Sequence, residues 1–98
     1  MRGYSIDLKP SAIRDLDGIR KYDPVRIADG IEKHLTFEPT RESKSRIRKL
    51  RGIQNPDYRL RIGDFRIFYA VDEESHRVSV LRVMHKKETA KYYQELER

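Results

Sequence analysis

The first third of the chain combines a short alternating segment with apolar residues at helical spacing. Residues 4–8 alternate apolar and polar side chains, which predicts a β-strand. Ile13, Leu16 and Ile19 then recur every three residues. That spacing predicts an amphipathic helix over about residues 11–22, with these three residues on its inner face.

A second helix is predicted directly after a helix-start signal. Asp23 followed by Pro24 is typical of an N-cap residue and the first helical position. The helix should end before Pro39, because the residue that precedes a proline disfavours helical geometry. Its inner face consists of apolar residues at helical spacing: Ile27, Ala28, Ile31 and Leu35. Since only a tight break separates the two helices, we expect them to form an antiparallel hairpin.

From Leu50 onward the apolar residues recur at the period of a strand. Residues 38–49 are polar and basic and are predicted to form an exposed connection, followed by a short strand at Leu50 to Ile53. Residues 58–62 and 65–71 alternate on either side of Gly63-Asp64. A two-residue turn signal between alternating segments predicts a β-hairpin.

The last third of the chain predicts one more strand and one more helix. Residues 78–83 carry apolar side chains at both alternating sets of positions, which is typical of a central strand. Residues 86–98 have the composition of a helix, with Tyr92 and Leu96 one turn apart. The length of 98 residues leaves room for one domain at most.

The two-residue turn determines which residues lie opposite each other in the hairpin. Arg61 should pair with Arg66, and Arg59 with Phe68. Arg59, Arg61 and Arg66 then share one face of the hairpin, where directly opposed arginines repel each other. The other face is expected to be buried against the helices and consists of Tyr58, Leu60, Ile62, Phe65, Ile67 and Tyr69.

The positive charge of the chain is concentrated around this hairpin. The chain has 22 Lys and Arg, 16 Asp and Glu and a net charge of +6. Residues 41–66 contain nine of the basic residues and only three acidic ones, so they account for the whole excess. Such an asymmetry indicates an anionic partner, which is a nucleic acid, an acidic protein or a membrane surface.

Several classes of protein are excluded or disfavoured by the composition. Cysteine is absent, so there is no disulfide framework, thiolate metal site or cysteine nucleophile. No apolar run approaches the roughly 18 residues of a membrane span, and the N-terminus lacks an apolar signal region. The sequence has no HExxH pattern and no compact carboxylate cluster, so a metal mechanism or a cofactor is not indicated. We therefore expect a cytoplasmic protein without a membrane partner.

The arginine-bearing strand face has two interpretations. It can be a solvated face whose basic residues prevent aggregation. The neighbouring basic residues, with Phe68 beside the arginines, instead favour a surface for phosphates and stacked bases, and RNA offers both. The candidate RNA-binding residues are Arg46, Arg48, Lys49, Arg51, Phe68, Arg82 and Lys87.

A second group of candidate residues follows the last strand. Metal-free RNA cleavage needs a base for the 2′-hydroxyl proton, cations around the phosphate and an acid for the leaving 5′-oxygen. Arginines suit the second role, but they are poor bases because they are permanently charged. His85, Lys86 or Lys87 can transfer protons if neighbouring cations lower their pKa. Tyr92 can orient the phosphate or stack on a base. The alternatives without a catalytic role are that the histidine simply lies at the surface and that the tyrosine packs against the sheet.

Three segments together resemble the RelE/ParE superfamily of toxins from prokaryotic toxin–antitoxin pairs. They are Lys49-Leu50-Arg51-Gly52, residues 58–69 and residues 80–87, and the likeness covers almost the whole chain. The resemblance implies an α+β fold in which the helical hairpin packs on a small antiparallel sheet of three to five strands, with a short C-terminal helix. It implies that residues 1–98 are a single RelE-like toxin domain with a RelB-like antitoxin partner. For the RelE branch it also implies cleavage of mRNA in the ribosomal A site without a metal.

The catalytic residues of the family can be transferred one at a time. The basic residues of the two hairpin strands fall on Arg59, Arg61 and Arg66, and the basic residue after the last strand falls on Lys86. The C-terminal tyrosine falls on Tyr92, with Tyr93 one position away. Known RelE members carry lysines at the positions of Arg59 and Arg61 and an arginine at that of Lys86, so the identity of the general base does not follow. His85 becomes a hypothesis for that role.

Three functions remain open. The first is a ribosome-dependent mRNA endonuclease that an antitoxin neutralises, and the set Arg59, Arg61, Arg66, Lys86 and Tyr92 favours it. The second is a ParE-like toxin that inhibits DNA gyrase on the same fold. Such toxins generally lack this set of residues, so its presence counts against the second function. The third is a basic RNA-binding domain without catalysis.

Overall fold

The computed structural model describes residues 3–22 and 24–98. The elements in chain order are β1 (Ser5–Leu8), α1 (Pro10–Gly18), a 3-10 turn (Arg20–Tyr22), α2 (Pro24–Leu35), β2 (Ile47–Lys49), β3 (Tyr58–Ile62), β4 (Phe65–Asp72), β5 (Arg77–His85), a second 3-10 turn (Lys86–Glu88) and α3 (Thr89–Leu96). This is the α+β architecture that the sequence predicts.

The five strands form one mixed sheet in the order β1-β5-β4-β3-β2. Strands β2 to β5 are antiparallel neighbours, as expected, whereas β1 pairs parallel with β5. The expectation of a wholly antiparallel sheet is therefore wrong for β1. No local turn links β1 to its partner, so its alternation alone carries no information about direction. Because β1 and β2 lie at opposite edges, α1 and α2 must cross one face of the sheet.

The main core lies between these helices and that face. Ile27, Ile31 and Leu35 of α2 are buried in it, as predicted. Gly30 brings α2 close to the sheet, since a Cβ at this position would lie 2.7 Å from the Cδ1 atom of Ile62. The principal packing partner of α2 is β3 and that of α1 is β5, so each helix packs mainly on the sheet.

The inner face of α1 differs from the prediction. Ala12 is fully buried and Leu16 and Ile19 are partly buried, but Ile13 is 54% exposed. A face of residues 12, 16 and 19 follows the pitch of an α-helix more closely than a strict spacing of three. The predicted start of α2 at Pro24 is confirmed, while the N-cap expected at Asp23 lies outside the described residues.

The position of β2 also differs from the prediction. The strand is Ile47–Lys49, within the expected connection, and Leu50 to Ile53 form a turn in which Gly52 has a φ of 70°. The pattern misleads because Leu50 is buried on the sheet face opposite the helices without being part of a strand.

The hairpin of β3 and β4 has the predicted register. Arg61 lies opposite Arg66 and Arg59 lies opposite Phe68. Gly63 occupies the turn with a φ of 57°, a conformation that glycine adopts without a steric penalty. Strand β5 has neighbours on both sides, which confirms its interior position.

A second core covers the face of the sheet that points away from α1 and α2. It consists of Leu50, Phe68 and Met84, with Ile53, Tyr92 and Tyr93 packed against them. The two tyrosines belong to α3, so the C-terminal helix covers part of the same face that carries the arginines. The sheet is therefore sandwiched between α1 and α2 on one side and α3 on the other.

Candidate functional site

Four arginines project from the uncovered part of this second face. Arg48 of β2 lies directly opposite Arg59 of β3, and Arg61 of β3 lies opposite Arg66 of β4. We call the surface of Arg48, Arg59, Arg61 and Arg66 the arginine face. Within residues 3–22 and 24–98, none of the four forms an ion pair with a carboxylate. Two cross-strand pairs of like charge therefore remain without internal neutralisation, which destabilises the sheet.

Arg59 is the most enclosed member of the arginine face. Its Nε atom is buried and has no hydrogen-bond partner. Its Nη1 atom lies 3.4 Å from the hydroxyl oxygen of Tyr93, to which it donates a long hydrogen bond. Leaving a buried donor unpaired costs about 1–3 kcal/mol, and more for a charged group. The unpaired Nε–H of Arg59 therefore destabilises the folded protein.

Arg66 is held against the hairpin turn. Its Nη1 atom donates to the carbonyl oxygens of Gly63 at 2.9 Å and of Phe65 at 3.0 Å. Partial burial lowers the pKa of Arg66, and the nearby charges of Arg59 and Arg61 lower it further. The arginines are therefore close enough to repel each other, although the guanidinium stays charged near neutral pH.

The two adjacent tyrosines of α3 have different environments. The Tyr93 hydroxyl contacts Arg59, and its ring lies edge-on to Phe68 at 5.7 Å. The Tyr92 ring packs on Phe68 at 4.8 Å and lies 5.4 Å from the guanidinium carbon of Arg82. Burial is the main cause that raises the pKa of Tyr92. The sequence favours Tyr92 for the site, but the structure brings Tyr93 to the arginine face.

Phe68 cannot stack on a base, contrary to the expectation from the sequence. Its side chain is 0% exposed because Leu50, Met84 and both tyrosines cover it. The expectation is wrong because α3 and Leu50 cover this part of the hairpin face, which strand alternation alone does not reveal. Its role is to support α3, and through α3 the Tyr93 hydroxyl.

Arg82 forms an internal ion pair that the sequence does not reveal. Its Nε and Nη2 atoms donate to the two carboxylate oxygens of Asp15 at 2.7 and 3.2 Å. The same carboxylate accepts from the Val83 backbone N–H at 2.9 Å. Asp15 thus caps an open stretch of the β5 edge and occupies the guanidinium of Arg82, which was predicted to bind RNA.

His85, the last residue of β5, lies apart from the arginines. His85 pairs with Phe65 in the β4–β5 register and stands edge-on to its ring at 5.4 Å, on the side of α1 and α2. Its Nδ1 atom accepts from the Lys87 backbone N–H at 3.2 Å. The expected grouping of His85 with the arginines is therefore wrong, because the two sets point to opposite sides of the sheet. Lys86 is exposed and pairs with Asp64 of the hairpin turn at 3.5 Å.

The remaining predicted RNA-binding residues are exposed but scattered. Arg46 donates through Nη1 to the Arg61 carbonyl oxygen at 3.1 Å, so it adjoins the arginine face. Lys49 lies opposite Tyr58, and alternation places its side chain on the other side of β2 from Arg48. Arg51 lies in the turn after β2. Of these three, only Arg46 is brought to the arginine face by a direct contact.

The described residues contain neither a metal-binding cluster nor a membrane-spanning helix. Residues 3–22 and 24–98 contain no group of three or more His, Cys, Asp or Glu side chains placed to hold a metal ion. Among the helices of the same residues, none has the length and apolar character to cross a bilayer.

Comparison with protein families gives one match over most of the chain. Residues 6–90 match the model of the ParE toxin of the parDE type II toxin–antitoxin system. The comparison with curated protein sequences gives no match.

Solved structures with the same fold include several toxins. The RelE–RelB complex of the archaeon Pyrococcus horikoshii OT3 is 25% identical, with a TM-score of 0.66 over 85% of this chain and 94% of that chain. A mutant of Escherichia coli toxin RelE in the free state is 23% identical, with a TM-score of 0.68 over 96% of this chain and 94% of that chain. A chain of the RelBE2 toxin–antitoxin complex of Mycobacterium tuberculosis is 24% identical, with a TM-score of 0.67 over 85% of this chain and 98% of that chain.

Proposed function

The chain belongs to the RelE/ParE superfamily of toxins of type II toxin–antitoxin systems, and from its site we propose that it is an endoribonuclease that cleaves mRNA in the ribosomal A site. In this reaction the 2′-hydroxyl oxygen attacks the adjacent phosphorus and the bond to the 5′-oxygen breaks. The products are a 2′,3′-cyclic phosphate and a 5′-hydroxyl. The observation that carries the proposal is the arginine face, where Arg59 has a buried, unpaired donor beside three other arginines.

The arginines supply the positive charge that the reaction needs. Negative charge grows on the phosphate oxygens as the pentavalent intermediate forms, and fixed donors in a partly dehydrated site stabilise it. Arg59 is partly exposed and has no carboxylate partner among the described residues, while Arg61 is exposed on the same strand and directly opposite Arg66. Because the hairpin holds these groups in place, little reorganisation is needed when the substrate binds. Charge of this kind makes a metal-independent reaction feasible.

The proton transfers are assigned to groups that border the arginine face. Tyr93 places a hydroxyl against Arg59, so we assign to its oxygen a hydrogen bond that orients the reacting 2′-hydroxyl, whose proton passes to solvent water as the bond to phosphorus forms. Lys86 lies at the Gly63-Asp64 turn, beside Arg66, and is the candidate donor to the leaving 5′-oxygen. His85 lies on the other side of the sheet, so replacement by alanine should leave the chemical step intact.

A cognate RelB-like antitoxin is proposed as the partner that restrains the toxin. The Pyrococcus and Mycobacterium structures are both complexes of toxin with antitoxin. An acidic antitoxin segment would satisfy the arginine face of this chain, whose arginines form no ion pair with a carboxylate among the described residues. The free toxin is proposed to act on mRNA and ribosomes in the cytoplasm.

Inhibition of DNA gyrase is the second candidate. The observation that favours it is the family match, since the matched family is the ParE toxin. In that case the arginine face would hold an acidic surface of the target or DNA, and cleavage would be absent.

One experiment separates these functions. The purified toxin is added to ribosomes programmed with a defined mRNA, new 5′ ends are mapped by primer extension, and gyrase supercoiling is measured in parallel. Arg61→Gln and Arg66→Gln should each lower the cleavage rate by about 100-fold or more, as for the loss of a transition-state donor. The matched control is Arg20→Gln, because Arg20 is 80% exposed and lies in the turn between α1 and α2, across the sheet from the site.

A tyrosine pair adds a second control. Tyr93→Phe removes the hydroxyl beside Arg59 and should slow cleavage by about 100-fold, while Tyr92→Phe, its neighbour in sequence, should have little effect. Intact mRNA together with inhibited gyrase would replace the ribonuclease proposal by the gyrase alternative. Intact mRNA with unaffected gyrase would contradict both.

A further inference from the structure

A second basic surface lies on the helix-covered side of the sheet. It is a cleft of about 500 Å³ between α1, the first 3-10 turn and the end of β5. Its walls include Arg14, Lys21, Tyr22, His85 and Lys87. These residues take no part in the reaction proposed above, although His85 and Lys87 belong to the most basic part of the C-terminal third.

The charge balance of the cleft favours an anion. Arg14, Lys21 and Lys87 are exposed, and in the described part of the chain none of them pairs with a carboxylate. Asp15 also lines the cleft, but both of its carboxylate oxygens are occupied by Arg82. Glu88 is the other carboxylate of the lining. The cations are therefore in excess.

An aromatic ring stands among these cations. Tyr22 is 50% exposed, and Lys21 Nζ lies 5.1 Å from the centre of its ring. The Tyr22 ring is tilted against Phe65 at 5.5 Å and against His85 at 6.5 Å, so neighbouring rings support it from the side of the sheet. A half-exposed ring flanked by exposed cations has the composition of a stacking platform for a nucleobase with contacts to its phosphates.

The cleft and the arginine face both border the same end of the β3–β4 hairpin. Phe65, which contacts Tyr22 and His85, and Arg66, which belongs to the arginine face, are adjacent in β4 and point to opposite sides of the sheet. Both lie next to the Gly63-Asp64 turn. The shared position of Phe65 and Arg66 places the two surfaces on opposite sides of the same end of the hairpin.

We propose that this cleft, the Tyr22 cleft, binds one nucleotide of single-stranded RNA outside the cleavage site. Its base stacks on Tyr22, and its phosphates lie among Arg14, Lys21 and Lys87. The proposal rests on the ribonuclease function in that RNA is the ligand. RNA fits better than an acidic peptide because the exposed aromatic surface suits a base as well as the cations suit a phosphate.

The test is a direct binding measurement that does not depend on cleavage. A fluorescein-labelled single-stranded oligonucleotide with 2′-methoxy groups cannot be cleaved, and its affinity for the toxin is measured by anisotropy at several salt concentrations. Lys21→Gln and Lys87→Gln should each weaken binding severalfold and reduce the slope of log K against log salt by about 1. Tyr22→Leu should weaken binding about tenfold, with rescue by Tyr22→Phe. Circular dichroism confirms that each variant is folded.

Arg20→Gln is the matched control, since Arg20 precedes Lys21, carries the same charge and does not line the cleft. Equal affinity of Lys21→Gln and Arg20→Gln would overturn the proposal. The proposal would also be overturned by two results together: an acidic peptide binds in the cleft, and Tyr22→Leu binds the oligonucleotide with the affinity of the wild type.

Ribosome assays identify the source of the nucleotide. In the cleavage assay, variants of the cleft should raise KM and leave kcat unchanged. If this increase disappears when the mRNA is shortened to the A-site codon, the nucleotide belongs to mRNA; if it persists, it belongs to ribosomal RNA. If the wild type binds oligonucleotide through the cleft but does not cleave mRNA, the proposed function fails while the cleft stands. A lowered kcat with unchanged oligonucleotide affinity would instead count against the cleft.

Discussion

The Asp15 carboxylate connects α1 to β5 and, through Arg82, to α3. It accepts three hydrogen bonds, two from the Arg82 guanidinium and one from the Val83 backbone. Its side chain is 18% exposed, whereas that of Arg82 is 36% exposed. Arg82 in turn packs on the Tyr92 ring. Replacement of Asp15 therefore loosens a connection from α1 through β5 to α3.

The cost of Asp15→Ala can be worked out from these contacts. The charge-assisted bond to Val83 N–H contributes about 1.5–2 kcal/mol, within the range for hydrogen bonds to charged groups. The ion pair contributes about 0.5–1 kcal/mol, because a third of the Arg82 side chain is in water and screens the charge. The expected loss is therefore about 2–3 kcal/mol, which lowers the Tm by about 10–20 °C for a domain of this length.

Urea denaturation followed by circular dichroism measures the loss of unfolding free energy in Asp15→Ala. An m-value equal to that of the wild type would show that the native state is intact. Asp17→Ala is the matched control, since Asp17 lies on the same helix and its partner Arg20 is 3.5 Å away, but both side chains are more than 70% exposed. That variant should lose less than about 0.5 kcal/mol. Equal midpoints for Asp15→Ala and Asp17→Ala would refute the reasoning.

Three further predictions concern the core, the site and the pH. Tyr69→Phe removes the buried hydrogen bond to the Pro39 carbonyl oxygen at 2.6 Å and should cost about 1–2 kcal/mol in urea denaturation, whereas Tyr58→Phe should cost little. Arg59→Met should abolish cleavage and raise the unfolding free energy by about 1 kcal/mol, because it removes a like-charge pair and an unpaired donor; a destabilised variant would contradict this. Burial, followed by nearby Arg46 and Lys33, lowers the pKa of His34. The unfolded chain therefore binds the proton more readily, and stability should fall as the pH drops below about 6.5. His34→Gln should lose less stability than the wild type between about pH 7.5 and 5.5, and equal losses would exclude His34 as the cause.

The sequence predicts those features that depend on neighbouring residues. The Gly63-Asp64 turn sets the register of the hairpin, and so the opposition of Arg61 and Arg66 follows without any tertiary information. The buried face of α2 follows in the same way from helical spacing. Both depend on regular geometry within one element or one turn.

Features that depend on distant residues could not be predicted. Asp15 and Arg82 are 67 positions apart, and nothing in either local pattern indicates the pair. Strand β5 contains an irregularity opposite Phe68 and Tyr69, so that Val80 and Val83 are both buried in the main core. Simple alternation through this point cannot assign the side of the sheet on which His85 lies. One signal was available for Phe68, because a large apolar residue on the arginine side needs cover, and the tyrosines of the C-terminal helix provide it.

The separation of the two cores explains how the sheet tolerates four unneutralised arginines. The main core lies on the face covered by α1 and α2, and its residues make no use of the arginine side chains. The second core is small, and it covers only the part of the other face on which α3 rests. Repulsion between Arg48 and Arg59 and between Arg61 and Arg66 therefore acts on strands whose opposite faces contribute buried residues to the main core. Because the residues that stabilise the fold lie mainly on one face of the sheet and the arginines lie on the other, the arginine face can keep its mutual repulsion. Binding of an anion relieves this repulsion.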